Sequence, residues 1–308
     1  MYSPRLHSFV IVINALNTVC SVAVGVTLQL SARFSTIIMG KRPSYDALDV
    51  AVTLLKRREG IDKTMKLARY ALILAVSEAE TRARRDDSVL VSTSTADFIR
   101  AGTALERSLG NARRALRLGK FLGNVAELRD VVREAEADGK RGWRRWASAA
   151  AACAALEGAY YFLEQGVWLS KAGVAMREKS TLERLVRWSA RAEVASYIFS
   201  IACSRDEWRG ASRDARDARR ALANGDAEGE SEDALRARVA RAEKAKRDAA
   251  LAMFQDFVDG VLSFEDAVDA PGVEISSERL VNLLGLLAAA LDFHGKLSAA
   301  IETLEEAS

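Results

Sequence analysis

Apolar residues recur at helical spacing along most of the chain, and short polar or glycine-bearing breaks divide them into elements. Leu48, Val52 and Leu55 predict a short helix over Tyr45 to Arg58, with Asp46 near its start and Gly60 at its end. Asp62 then stands where an N-cap is useful. Ile61, Met65, Ala68, Leu72, Ala75, Val76 and Ala79 share one face and predict an amphipathic helix from Asp62 to Glu80. Lys63, Lys66 and Arg69 lie on its flank and back, while Leu67, Ile73 and Leu74 fall outside the stripe. Arg82 to Asp97 reads as a loop. Phe98, Ala101, Leu105, Leu109, Ala112 and Leu116 line the next stripe, which predicts one long helix or two abutting ones reaching about Glu136. A turn at Gly139 to Gly142 leads into an apolar stretch from Ala147 to Met176. Leu182 to Ser204 is a further helix, and Arg205 to Ala223 and Asp233 to Asp248 read as solvated helices laced with pairs of opposite charge. Leu251 to Val268 is apolar again, Pro271-Gly272 breaks it, and a last helix spans Ser277 to about Leu304.

Composition supports the same picture. The 308 residues include only three prolines, Pro4, Pro43 and Pro271, so nothing forces a helix to break between the last two. Ala, Leu, Arg and Glu dominate that interval, and all four favour helix. The expected fold is all-α: a helical bundle with amphipathic membrane-interface helices and one or two hydrophobic membrane-associated helices. Composition also divides the chain into residues 1–38, 39–223, a flexible linker at 224–231, and 232–308.

Residues 1–38 do not match the rest. From Ser8 to Ala32 no residue is charged, and Phe9 to Ile13 is strongly apolar. That length suits a membrane span or a signal sequence. Met39 offers a more ordinary start, so an extension upstream of the native chain is the third reading.

Charge adds detail. Lys and Arg total 45 against 42 acids, a net charge of +3, which is too even for a nucleic-acid binder. The clusters matter more. Arg100, Arg107, Arg113, Arg114 and Arg117 spread opposite the stripe that starts at Phe98, a surface that suits anionic lipid headgroups or simply water. Trp143-Arg144-Arg145-Trp146 suits a membrane–water boundary, where indole rests at headgroup level. Glu157, Glu164 and Lys171 recur every seven residues and are expensive in hydrocarbon, so Ala147 to Met176 reads as buried or interfacial rather than as a lipid-exposed span. The last apolar run, Leu280 to Leu291, is shorter than a span needs and is interrupted by Asp292, His294 and Lys296.

Little catalytic chemistry is in view. The two histidines, His7 and His294, make no ligand spacing, so no metal is expected. Neither a phosphate-binding loop nor a dinucleotide fingerprint nor a nucleophile elbow occurs, and no cofactor is expected. Cys20, Cys153 and Cys203 lie far apart and read as small packing residues of a reducing compartment.

Four segments together resemble the peroxin-11 family of peroxisomal membrane proteins. Gly60-Ile61-Asp62-Lys63 with Tyr70 is similar to the family's opening G-x-D-K motif. Arg113, Arg117, Gly119 and Lys120 match its R-K-x-x-R-L-G-K stretch. Tyr160, Glu164, Trp168 and Gly173 match Y-x-x-x-D-x-x-x-W-x-x-x-x-G, with Glu164 where Asp is more usual. Ser189-Ala190-Arg191 and Arg205-Asp206 follow in the family's order. Residues 1–38 and Arg209 to Asp248 have no counterpart. The resemblance implies a non-enzymatic peroxisomal membrane protein that promotes membrane elongation, peroxisome proliferation and fission. Its amphipathic helix would map onto Asp62 to Glu80. Ile61, Met65, Leu72 and Val76 would then insert among lipids, and Lys63, Lys66 and Arg69 would contact phosphates. Self-association into a homo-oligomer, a fission adaptor and a dynamin-like GTPase are the implied partners. A membrane channel for small metabolites and a soluble helical scaffold are the alternatives.

Overall fold

A computed structural model describes residues 45–85, 93–175, 178–224, 231–268 and 277–307, so residues 1–38 lie outside it. Among the described residues the regular structure is all helical, without strands. The helices are α1 (Ala47–Lys56), α2 (Arg58–Arg85), α3 (Thr93–Leu116), α4 (Lys120–Ala137), α5 (Ala149–Lys171), α6 (Lys179–Asn224), α7 (Glu232–Ala267) and α8 (Glu278–Ala307). A short 3-10 turn, Gly142–Arg145, joins α4 to α5. They form two compact units, Met1–Arg117 with Ile275–Ser308, and Leu118–Glu274.

In the first unit α2 lies between α3 and α8, antiparallel to both. Asp62 meets Arg113 and Arg69 meets Glu106, whereas Lys63 meets Asp292 and Glu59 meets Lys296. The Asp46 side chain accepts from the amides of Leu48 and Asp49 and so starts α1, and Asp49 answers by accepting from the Asp46 amide. Val50 and Leu54 of α1, Leu67 of α2, and Ala289, Phe293, Leu297, Ala300 and Ile301 of α8 form the main core. A second cluster joins Leu72 and Val76 to Phe98, Ile99 and Leu105 of α3. The chain breaks between α1 and α2 at extended Arg57, not at Gly60, which lies in the first turn of α2 against Leu54. Because α2 begins at Arg58, Asp62 is inside the helix rather than an N-cap.

The second unit is a row of antiparallel helices in chain order. Asn124 of α4 donates to Glu157 of α5 at 2.9 Å. The Ser189 hydroxyl of α6 donates to the Tyr160 carbonyl at 3.5 Å. Ser200 of α6 donates to Asp256 of α7 at 2.5 Å. α6 and α7 are each a single helix, where composition reads two segments apiece; side-chain pairs such as Arg236–Glu232 and Lys246–Glu243 brace the charged parts. The two helices pack along one another through Ala215, Ala218, Leu235, Ala242 and Ala249. Residues 224–231 therefore join two helices of one unit. α7 packs with α4 to α6, and α8 with α1 to α3.

Candidate membrane-binding site

The α2 residues offered to lipid by the sequence are held by protein in this structure. Lys63 Nζ lies 2.5 Å from Asp292 Oδ1, and Lys66 Nζ lies 2.6 Å from Asp292 Oδ2. Arg69 reaches Glu106 at 2.6 Å. Leu72 and Val76 are buried under α3, while Ile61 and Met65 are half-buried. This burial has a simple cause. Leu67, Ile73 and Leu74 lie outside the main stripe, so α2 is apolar on more than one side and needs two covers instead of one.

Two carboxylates organise those covers. Asp62 accepts from Arg113 Nε at 2.9 Å and Arg117 Nη2 at 3.5 Å. Burial pushes its carboxyl up, but the two guanidiniums outweigh this and hold it below the ordinary range. Asp292 is likewise pushed up by burial, and Lys63 and Lys66 bring it down to about 2. Sequence reasoning met Asp292 only as an interruption of an apolar run. A lone acid in such a run was the available signal that a basic partner waits elsewhere.

The tryptophan cluster is placed differently. Trp143 is 74 % exposed and Trp146 is 49 % exposed. Lys140, Arg141 and Arg144 are exposed beside them. Arg145 is half-buried, pairs with Glu136, and holds its guanidinium 5.9 Å from the Trp146 ring. Further large apolar side chains are exposed on α4 (Leu122, Val125), α7 (Leu251, Phe254, Phe257, Phe264) and α8 (Leu280, Leu283, Leu287). α8 is also long and apolar enough to cross a membrane over Arg279–Glu306, although here one side of it packs against protein.

The motif residues have structural duties. Arg113 and Arg117 hold Asp62, as above. Gly119 adopts φ 75° just before α4, which a side chain would resist. Lys120 Nζ lies 2.5 Å from the Tyr161 hydroxyl and 4.2 Å from its ring centroid. Tyr160 and Glu164 are buried, and Trp168 is half-buried. Gly173, at φ 78°, closes α5: its own amide bonds the Ser170 carbonyl and that of Val174 bonds Leu169. Burial and the nearby Glu157 charge push the Cys153 thiol up to about 12.

Residues 48–295 match the family of peroxisomal biogenesis factor 11. Peroxisomal membrane protein 11-3 of Oryza sativa subsp. japonica is 32% identical over 82% of this chain and 89% of its own length. Peroxisomal membrane protein 11A of Arabidopsis thaliana is 26% identical over 82% of this chain and 94% of its own. No solved structure matches. The chain belongs to the peroxisomal biogenesis factor 11 family and is a peroxisomal membrane protein.

Proposed function

We propose that this chain elongates the peroxisomal membrane and promotes peroxisome proliferation and fission by wedging side chains into one leaflet. The supporting observation is the exposed pair Trp143 and Trp146 among Lys140, Arg141 and Arg144. Indole settles at the headgroup level, and each nearby cation adds about 1 kcal/mol of attraction to an anionic surface. This turn anchors the protein. α2 is the deeper wedge, and it acts only after parting from its covers. Lys63, Lys66 and Arg69 then exchange carboxylates for lipid phosphates, while Ile61, Met65, Leu72 and Val76 enter the acyl region. Material inserted in one leaflet expands it and favours curvature. Self-association and recruitment of a fission adaptor with its dynamin-like GTPase follow that step, and no catalytic step is assigned to the chain.

Flotation of the full chain on phosphatidylcholine vesicles containing phosphatidylserine tests the anchor. Trp143→Ala with Trp146→Ala should lose most of the binding, and Arg144→Ala should weaken it roughly fivefold, the equivalent of about 1 kcal/mol. Unchanged flotation of the double tryptophan variant refutes the anchor. Peroxisome length after overexpression is the corresponding readout in cells.

A further inference from the structure

α2 presents a different chemistry to each of its covers. Towards α3 it offers Asp62, Arg69, Leu72 and Val76. Towards α8 it offers Lys63, Lys66, Leu67 and Tyr70, two ammonium groups beside an aliphatic and an aromatic side chain. On the second side both lysines share one carboxylate, Asp292 of α8, while Glu59 in the first turn of α2 pairs with Lys296. Gly285 lets α8 approach so closely that a Cβ there would run into the Tyr70 ring.

We infer that α8 is a detachable cover over this side of α2, clasped by Asp292 between Lys63 and Lys66, and that an anionic lipid surface opens the clasp by taking over the two lysines. The inference rests on the membrane reading above and adds a regulated step to it. Apolar burial against α1 and α2 and the close approach of Gly285 to the Tyr70 ring hold α8 in place. The ion pairs add to that register, because a shift by one helical turn, about 5 Å, takes the buried Asp292 carboxylate away from the buried Lys66 and half-buried Lys63 ammonium groups. The same groups make the clasp exchangeable. A phosphate oxygen offers an ammonium group the same charge-assisted bond that a carboxylate does. When phosphates bind Lys63 and Lys66, Asp292 loses its partners, and α8 keeps an apolar surface that also suits the bilayer, with Leu280, Leu283 and Leu287 already exposed. Opening therefore depends on anionic lipid, and a zwitterionic surface leaves the cover closed.

The test uses the full chain carrying Trp143→Ala and Trp146→Ala, so that flotation reports α2 and not the anchor. On phosphatidylcholine vesicles containing phosphatidylserine, Asp292→Asn should raise the bound fraction several-fold, with no gain on phosphatidylcholine alone. A second variant keeps Asp292 and adds Tyr70→Cys with Gly285→Cys, the native cysteines being serine. Oxidation of that pair should lower binding severalfold, and reduction should restore it. No gain from a helical, folded Asp292→Asn chain overturns the cover, as does equal flotation of the oxidised and reduced pair. Should Asp292→Asn fail to fold, the crosslinked pair decides alone. Failure of the anchor reading shows separately, as undiminished binding by the double tryptophan variant with α8 untouched.

Discussion

Asp62 and Asp292 each stand between two cations inside the first unit, and their acid titration measures what those cations contribute. Both carboxyls are held below their ordinary value of 3.8, Asp292 at about 2. A lowered folded-state value means the unfolded chain takes up protons first as pH falls. The contribution is therefore complete above about pH 4 and disappears as pH drops towards 2, and for Asp292 it amounts to about 2 kcal/mol at neutral pH. Thermal melting followed by circular dichroism should show stability level from pH 7 to about 5 and falling below 4. Asp62→Ala removes the acceptor shared by Arg113 and Arg117 and should destabilise the first unit by about 3 kcal/mol in denaturant titration. Leu72→Ala should destabilise by a comparable amount, about 2–5 kcal/mol, because the side chain fills the contact with α3. A residue wholly given over to lipid would leave the stability of the helical unit unaffected by the same truncation. At this scale the sequence identified the cations of α2 but not their partners, since Glu106 and Asp292 lie far away along the chain.

The α6–α7 hairpin shows the same division between local and non-local information. Helix-favouring residues and charge pairs three or four apart made each segment helical, and those are legible from neighbours alone. The pairs that join the two helices are not. Arg238 Nε lies 2.8 Å from Asp214 Oδ1, and Arg219 lies 3.0 Å from Glu243. Leu235, Ala242 and Ala249 recur every seven residues on the buried side, the period that keeps one seam facing a partner helix. Small residues there bring the helices close. Ala242→Leu should therefore overpack the seam and destabilise the second unit by about 1–3 kcal/mol. Arg236→Ala, an exposed change on the same helix, should stay within about 0.5 kcal/mol. Paired melting curves of the two variants separate a packed seam from two independently solvated helices.

On the scale of the whole chain, the first unit is interrupted by the second and is completed only by its last helix. Val50, Leu54 and Leu67 wait for Phe293 and Leu297, more than two hundred residues downstream, before their core is closed. A fragment of residues 118–274 should hold its helicity and melt cooperatively by itself, since its packing is internal. A chain ending at residue 274 should keep that transition and lose the one belonging to the first unit, with new binding of a hydrophobic dye. A single shared transition in both would show that the units do not fold separately.

Taken alone, the sequence determined that this protein is helical, where most of its helices lie, that a cluster of aromatic and basic residues from Trp143 to Trp146 follows a turn at Gly139 to Gly142, and which family it resembles. These follow from spacing, helix propensity and short motifs, all of which act over a few residues. Tertiary structure decided which apolar faces are covered, which cations are neutralised, and that α8 rather than α7 completes the first unit. The physical reason is that burial and ion pairing depend on what lies opposite in space. A stripe such as Ile61 to Val76 reads identically whether lipid or another helix receives it, and only the fold brings Asp292 to Lys63 and Lys66.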